Sequence, residues 1–238
     1  MTLDADTLLF TDFDGQDASL EDVLSSGLDA DVSPRVPGLV HLLEHGEPKH
    51  QLYAAMLLLG WGRPEGFAAL SRWVASPGDA PWATTLVSWD RFTGEDDSFG
   101  QLASALATSR WSDATPALVA MQVQSYRELL SLYTSRFFGR SLADALDCHR
   151  AVAALVVPEM IGAIERGLER LRERNSGSLR FQLAALLVAL APHDGAATTR
   201  LARSILEGAD GRTEREVAFA LEKRRGPDHA ASRHDPKT

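Results

Sequence analysis

Apolar residues recur along this chain with a helical period. Between Pro48 and Val74, Leu52, Ala55, Met56 and Leu59 fall at i, i+3, i+4 and i+7 and share one helical face. Tyr53, Leu57 and Leu58 widen that face so far that neighbours must cover the helix on several sides. Pro48 suits a first helical position. Gly60 and Gly62 are suited to end the helix and Pro64 to open the next, whose stripe is Phe67, Leu70, Trp73 and Val74. Ser76, Pro77 and Gly78 stop it. Neither helix of such a pair can bury its apolar surface alone.

The pattern returns from Ser176 to Leu206, where Ala184-Ala185-Leu186-Leu187 lies over Ala54-Ala55-Met56-Leu57. A third fragment, Arg215–Arg224, restarts after Gly211. Elsewhere, capping residues and apolar spacing predict helices from Ser19 to Leu24, Pro34 to His45, Asp79 through Trp82, Leu86 and Trp89, Phe99 to Leu106, Ala114 to Phe138, Leu142 to Val156, and from Pro158 onward. Strand signals are scarce. Residues 1–18 have no helical period and read as an acidic arm, extended or a short strand over Thr7–Phe10. Residues 225–238 read as a disordered tail.

The two full units, each a polar lead-in, an Ala-Ala-then-Leu helix, a Gly/Pro/Asp turn and a second helix, resemble the HEAT-like (armadillo-type) helical repeat family. Their separation is about three repeats of the ~40–47 residues usual there. The resemblance implies an all-α protein, an irregular α-solenoid of about ten or eleven helices over residues 19–224, with a concave helical surface for binding other proteins.

Composition narrows the function. The chain has 238 residues, 45% hydrophobic and 24% charged, with one cysteine, Cys148. No disulfide framework can form, no run reaches the ~18–20 apolar residues of a membrane span, and the acidic N-terminus lacks an export pattern. A cytoplasmic protein is expected. The net charge of −9 argues against a nucleic-acid partner. Every charged side chain before Arg35 is acidic, which suits a basic protein partner or a plain solvated face.

Leu8–Asp17, LLFTDFDGQD, resembles the first motif of haloacid-dehalogenase-type phosphatases, which would make Asp12 a nucleophile and Asp14 an acid/base. That chemistry needs a parallel sheet, and the chain shows no βαβ alternation, so both residues are assigned to the acidic arm. HLLEH, His41–His45, matches the H-x-x-E-H pattern of inverted zinc metallopeptidases, and i, i+4 spacing makes His41 and His45 weak zinc candidates. The same wheel turns them away from Leu39 and Leu43, toward solvent. Cys148 and His149 diverge on a helix and form no nucleophile–base pair. His149 reads instead as a hydrogen-bonded core residue. Trp73, Trp82 and Trp89 fall on core stripes. Trp61, in a turn, and Trp111, before Ser112-Asp113, are candidate partner anchors. The pairs Trp89-Asp90 and Trp111/Asp113 resemble, loosely, the Trp and Asp of HEAT-like alkylpurine DNA glycosylases.

The expectation is a non-catalytic scaffold, of the inhibitor or immunity type, that masks a basic partner. Its candidate contacts are Trp61, Trp111, Asp113, Asp12 and Asp14. No catalytic residue and no cofactor is assigned. The alternative is the DNA glycosylase.

Overall fold

Two helices with almost wholly apolar surfaces organise the structure, one in each of two compact units, Met1–Leu132 and Tyr133–Thr238. The computed structural model describes residues 4–173 and 176–224. Among these, the protein is all-α, with thirteen α-helices, one 3-10 turn and no strand. None of the helices is long and apolar enough to cross a membrane. The region read as a tail, 225–238, lies outside the described residues.

In the first unit the central helix is α4 (Pro48–Gly60), in which every residue from Ala54 to Gly60 is buried. Helices α1 (Ala5–Phe10), α2 (Leu20–Ser26), α3 (Val36–His45), α5 (Pro64–Ala75) and α6 (Ser98–Thr108) surround it. This is the physical solution for a helix with no polar face. α7 (Pro116–Leu132) packs against α5 and α6. The turn after α4 depends on Gly62, whose φ is +68°, while Gly60 remains helical.

In the second unit α11 (Gly177–Leu190) has the same role. It is buried from Arg180 to Leu190 and packs against α8 (Ser141–Cys148), α10 (Val157–Glu173), α12 (Gly195–Leu206) and α13 (Gly211–Lys223). The Arg180 guanidinium donates to the carbonyls of Ile205 and Glu207 at 3.1 and 2.5 Å, satisfying acceptors at the end of α12. Gln182, also buried, holds the chain after Tyr133. Its Nε2 donates to the carbonyls of Tyr133 and Arg136, and its Oε1 accepts from the N–H groups of Phe138 and Gly139.

The structure departs from the sequence expectation at four places. Residues 5–10 form a helix rather than an arm or strand. Asp4 caps it, accepting from the Thr7 N–H at 2.8 Å, and Leu8 and Leu9 are buried. The stretch from Asp79 to Trp89 is not helical. Asn-like turn chemistry at Asp90 and the β-branched run Thr84, Thr85, Val87 outweigh its apolar spacing. The helix read as Ala114–Phe138 ends at Leu132, and the residues after it are held by Gln182. The helix read as Leu142–Val156 divides at His149 into α8 and a short α9 (Arg150–Ala153).

Candidate functional site

Five sequence candidates, Asp12, Asp14, Trp61, Trp111 and Asp113, come to one end of α4. The loop 11–17 is closed by an antiparallel bridge between Thr11 and Asp17. Inside it, Asp12 Oδ1 accepts from the N–H groups of Asp14 and Gln16, both at 2.9 Å. The buried Arg35 donates from Nη1 to the Thr11 carbonyl (2.6 Å) and from Nη2 to that of Asp12 (2.5 Å). Burial lowers the Arg35 pKa from its ordinary value, and the Asp12 charge partly offsets this. Asp12 is therefore the brace of a turn. Phe13 lies between the Arg35 guanidinium, 4.2 Å from its ring centre, and the Trp61 ring at 5.8 Å.

Trp61 corrects the expectation of an exposed anchor. It is only 6% exposed, and its indole N–H donates to the Leu24 carbonyl at 2.9 Å. A turn between two apolar helices places an aromatic ring inside as readily as outside, and here the N–H finds a protein partner. Ser112 lies against Gly62, so the turn holding Trp111 and Asp113 adjoins the same end of α4. Trp111 is 66% exposed, with the Arg110 guanidinium 4.6 Å above its ring, and Asp113 and Asp14 are exposed.

His41 and His45 are exposed on α3, opposite the buried Leu39 and Leu43, with ring centres 4.9 Å apart. Glu44 lies 3.8 Å from His45. Among the described residues no three His, Cys, Asp or Glu side chains are grouped to hold a metal ion. Cys148 is exposed, and His149 is half-buried at the break after α8.

The most prominent surface feature includes two residues, Leu86 and Trp89, whose spacing predicts the apolar stripe of a helix. Trp82 anchors the segment between α5 and α6, packing edge-on against Trp73 (4.8 Å) and Phe99 (5.8 Å). Beyond it, residues 86–97 form a small hairpin. Trp89 and Asp96 make an antiparallel bridge, the Asp90 N–H donates to the Glu95 carbonyl (2.9 Å), and that of Gly94 donates to the Asp90 carbonyl (2.8 Å). Gly94 takes φ +71°, which the turn requires. Asp90 Oδ1 accepts from the N–H groups of Phe92 (3.0 Å) and Thr93 (2.7 Å) and from the Thr93 hydroxyl (2.9 Å). This bracing holds three large apolar side chains outward: Leu86 at 55% exposure, Trp89 at 56% and Phe92 at 90%.

Four carboxylates, Asp90, Glu95, Asp96 and Asp97, share the hairpin with one cation, Arg91. Asp97, at its base, accepts from Gln101 Nε2 at 3.1 Å. Its pKa is pushed up to about 6, chiefly by burial. The Gln101 hydrogen bond opposes the rise, and the charges of Asp90 and Asp96 add to it.

The two pairs likened to glycosylase residues stand apart. Trp89-Asp90 precedes α6 and Trp111/Asp113 follows it, and eleven helical residues span about 16 Å. The Asp90 carboxylate is also engaged within its own turn. In comparisons with known proteins, no family model, no curated protein and no solved structure matches the chain.

Proposed function

We propose that this chain is a non-catalytic protein-binding protein, built from HEAT-like hairpins, that masks a basic partner in the cytoplasm in the manner of an inhibitor or immunity protein. The observation carrying this reading is the 86–97 hairpin. A hydrogen-bonded turn that exposes Leu86, Trp89 and Phe92 leaves a large apolar area in water, and such patches mark interaction sites. Tryptophan and its aromatic neighbours are the usual anchors of an interface centre. The surrounding carboxylates give the rim a negative field that speeds encounter with a basic surface and rejects an acidic one. The HEAT-like part of the proposal is supported by the two alike hairpins, α4/α5 and α11/α12, each led by a buried Ala-Ala helix.

The test is a triple substitution, Leu86→Ser, Trp89→Ser and Phe92→Ser. These side chains are exposed, so the melting temperature should hold. Wild type isolated from its source cells should retain a basic protein at fixed stoichiometry, in a complex that weakens with salt, and the triple variant should lose it. An identical complex with both proteins would overturn the reading.

A further inference from the structure

We propose that His41 and His45, on the outer face of α3, form half of a zinc site that is completed by the same two histidines of a second copy of the chain. The site shares no residue with the 86–97 hairpin.

The buried positions of α3, Val36, Leu39 and Leu43, fix its rotation against α4. Residues 41 and 45, four apart, then lie one turn from each other on the opposite face, in water. Their ring centres are 4.9 Å apart. That distance matches a chelate. An imidazole bound at the usual ~2.0–2.1 Å holds its ring centre about 3.2 Å from zinc, and two such rings at the tetrahedral angle lie about 5.2 Å apart. The difference of a few tenths of an ångström is within the freedom of two exposed side chains. The polar neighbour of the pair is Glu44, whose Oε2 lies 3.8 Å from His45 Nε2, too far for a hydrogen bond. Both rings therefore keep nitrogens for a metal, and imidazole is a ligand that zinc favours.

Two ligands leave zinc half-coordinated. A structural zinc site takes four protein ligands in a tetrahedron. Among the described residues no third His, Cys, Asp or Glu joins the pair. A two-fold axis through the ion supplies the missing pair from a second chain, because such a contact presents the same patch twice. The other exposed residues of this face are Pro37 and Glu44, and it carries none of the large exposed apolar side chains. It thus has no apolar contact to hold two copies together without metal. A net charge of −9 on each copy makes them repel, and Glu44 of each adds to the repulsion at the contact. The dication between four imidazoles offsets that repulsion, so zinc decides whether the copies associate.

The test uses the purified full chain and zinc chloride. By analytical ultracentrifugation, wild type should be monomeric in EDTA. With zinc it should be dimeric, with one ion per two chains, bound in the micromolar range or tighter. Cobalt(II) in place of zinc should give the intense visible absorption of a tetrahedral site. His41→Ala and His45→Ala each remove two of the four ligands of the shared site, and each should abolish the dimer and weaken metal binding roughly tenfold or more. Both positions are exposed, so the melting temperature in EDTA should equal that of wild type. His50→Ala, at the next histidine in the sequence, should dimerise as wild type does. A monomer with zinc bound, a dimer that survives in both His41→Ala and His45→Ala, or binding only at millimolar zinc would overturn the proposal.

Discussion

Gln182 shows how much one polar side chain can organise. It is 2% exposed and its side chain is bonded to four backbone groups between Tyr133 and Gly139, while the Tyr133 hydroxyl donates to the Gln182 backbone carbonyl at 2.6 Å. Gln182→Leu would preserve shape yet strand those groups in an apolar interior, at roughly 1–3 kcal/mol each before relaxation. The expected net loss is about 3–5 kcal/mol, read as a fall in denaturation midpoint with the m-value unchanged. A variant as stable as wild type would show that water replaces the amide. Asp97 supplies a second residue-scale expectation. Its folded pKa of about 6 lies above the ~3.9 of an unfolded aspartate, so the folded state binds the extra proton. Stability from this group is full below about pH 4 and falls as pH rises through about 6. Asp97→Asn, which still accepts from Gln101, should therefore match wild type near pH 4 and exceed it at pH 7. A gain of equal size at both pH values would contradict the assignment.

At the scale of elements, the central helices carry the fold. Leu57 on α4 and Leu186 on α11 are both fully buried. Leu57→Asp or Leu186→Asp would place an unpaired charge among apolar side chains and cost several kcal/mol, enough to unfold the unit concerned. Circular dichroism melts check this, and a transition as sharp and as high as wild type would contradict the central role. These helices were legible in the sequence because an uninterrupted apolar surface and Pro or Gly at the ends leave few alternatives. The hairpin was not. Trp82, Leu86 and Trp89 have helical spacing, and only Trp82 is buried. Spacing reports which face residues share if a helix forms. It does not report that the Asp90 side chain captures the N–H groups of Phe92 and Thr93 and closes a turn instead. α1 was missed for the opposite reason. Six residues are too short to establish a period, and Asp4 reads in the sequence as one more surface charge when it is a cap.

For the whole molecule, the meaning of its charge changes once the side chains are placed. Four of the nine acidic side chains before Arg35 serve local structure. Asp4 caps α1, Asp22 accepts from the N–H of Ser19, the cap of α2, Asp31 accepts from the Ser33 N–H at 3.0 Å, and Asp12 braces its loop. Hydrogen bonds hold Asp4, Asp22 and Asp31 below the usual carboxylate range. The residues that the sequence brought forward as contacts divide accordingly. Trp61 and Asp12 are structural, Trp111, Asp113 and Asp14 remain on the surface, and the strongest apolar exposure is at Phe92. The net charge of −9 supplies the long-range field, and the hairpin supplies the apolar contact that a field alone lacks.

The most direct measurement is site-specific photo-cross-linking in the source cells, with a photoreactive phenylalanine at position 92 and, as a control, at the exposed position 207. The expected result is one dominant basic protein joined through position 92, absent from position 207 and reduced by added salt. Equal adducts at the two positions, or none at position 92, would contradict the account.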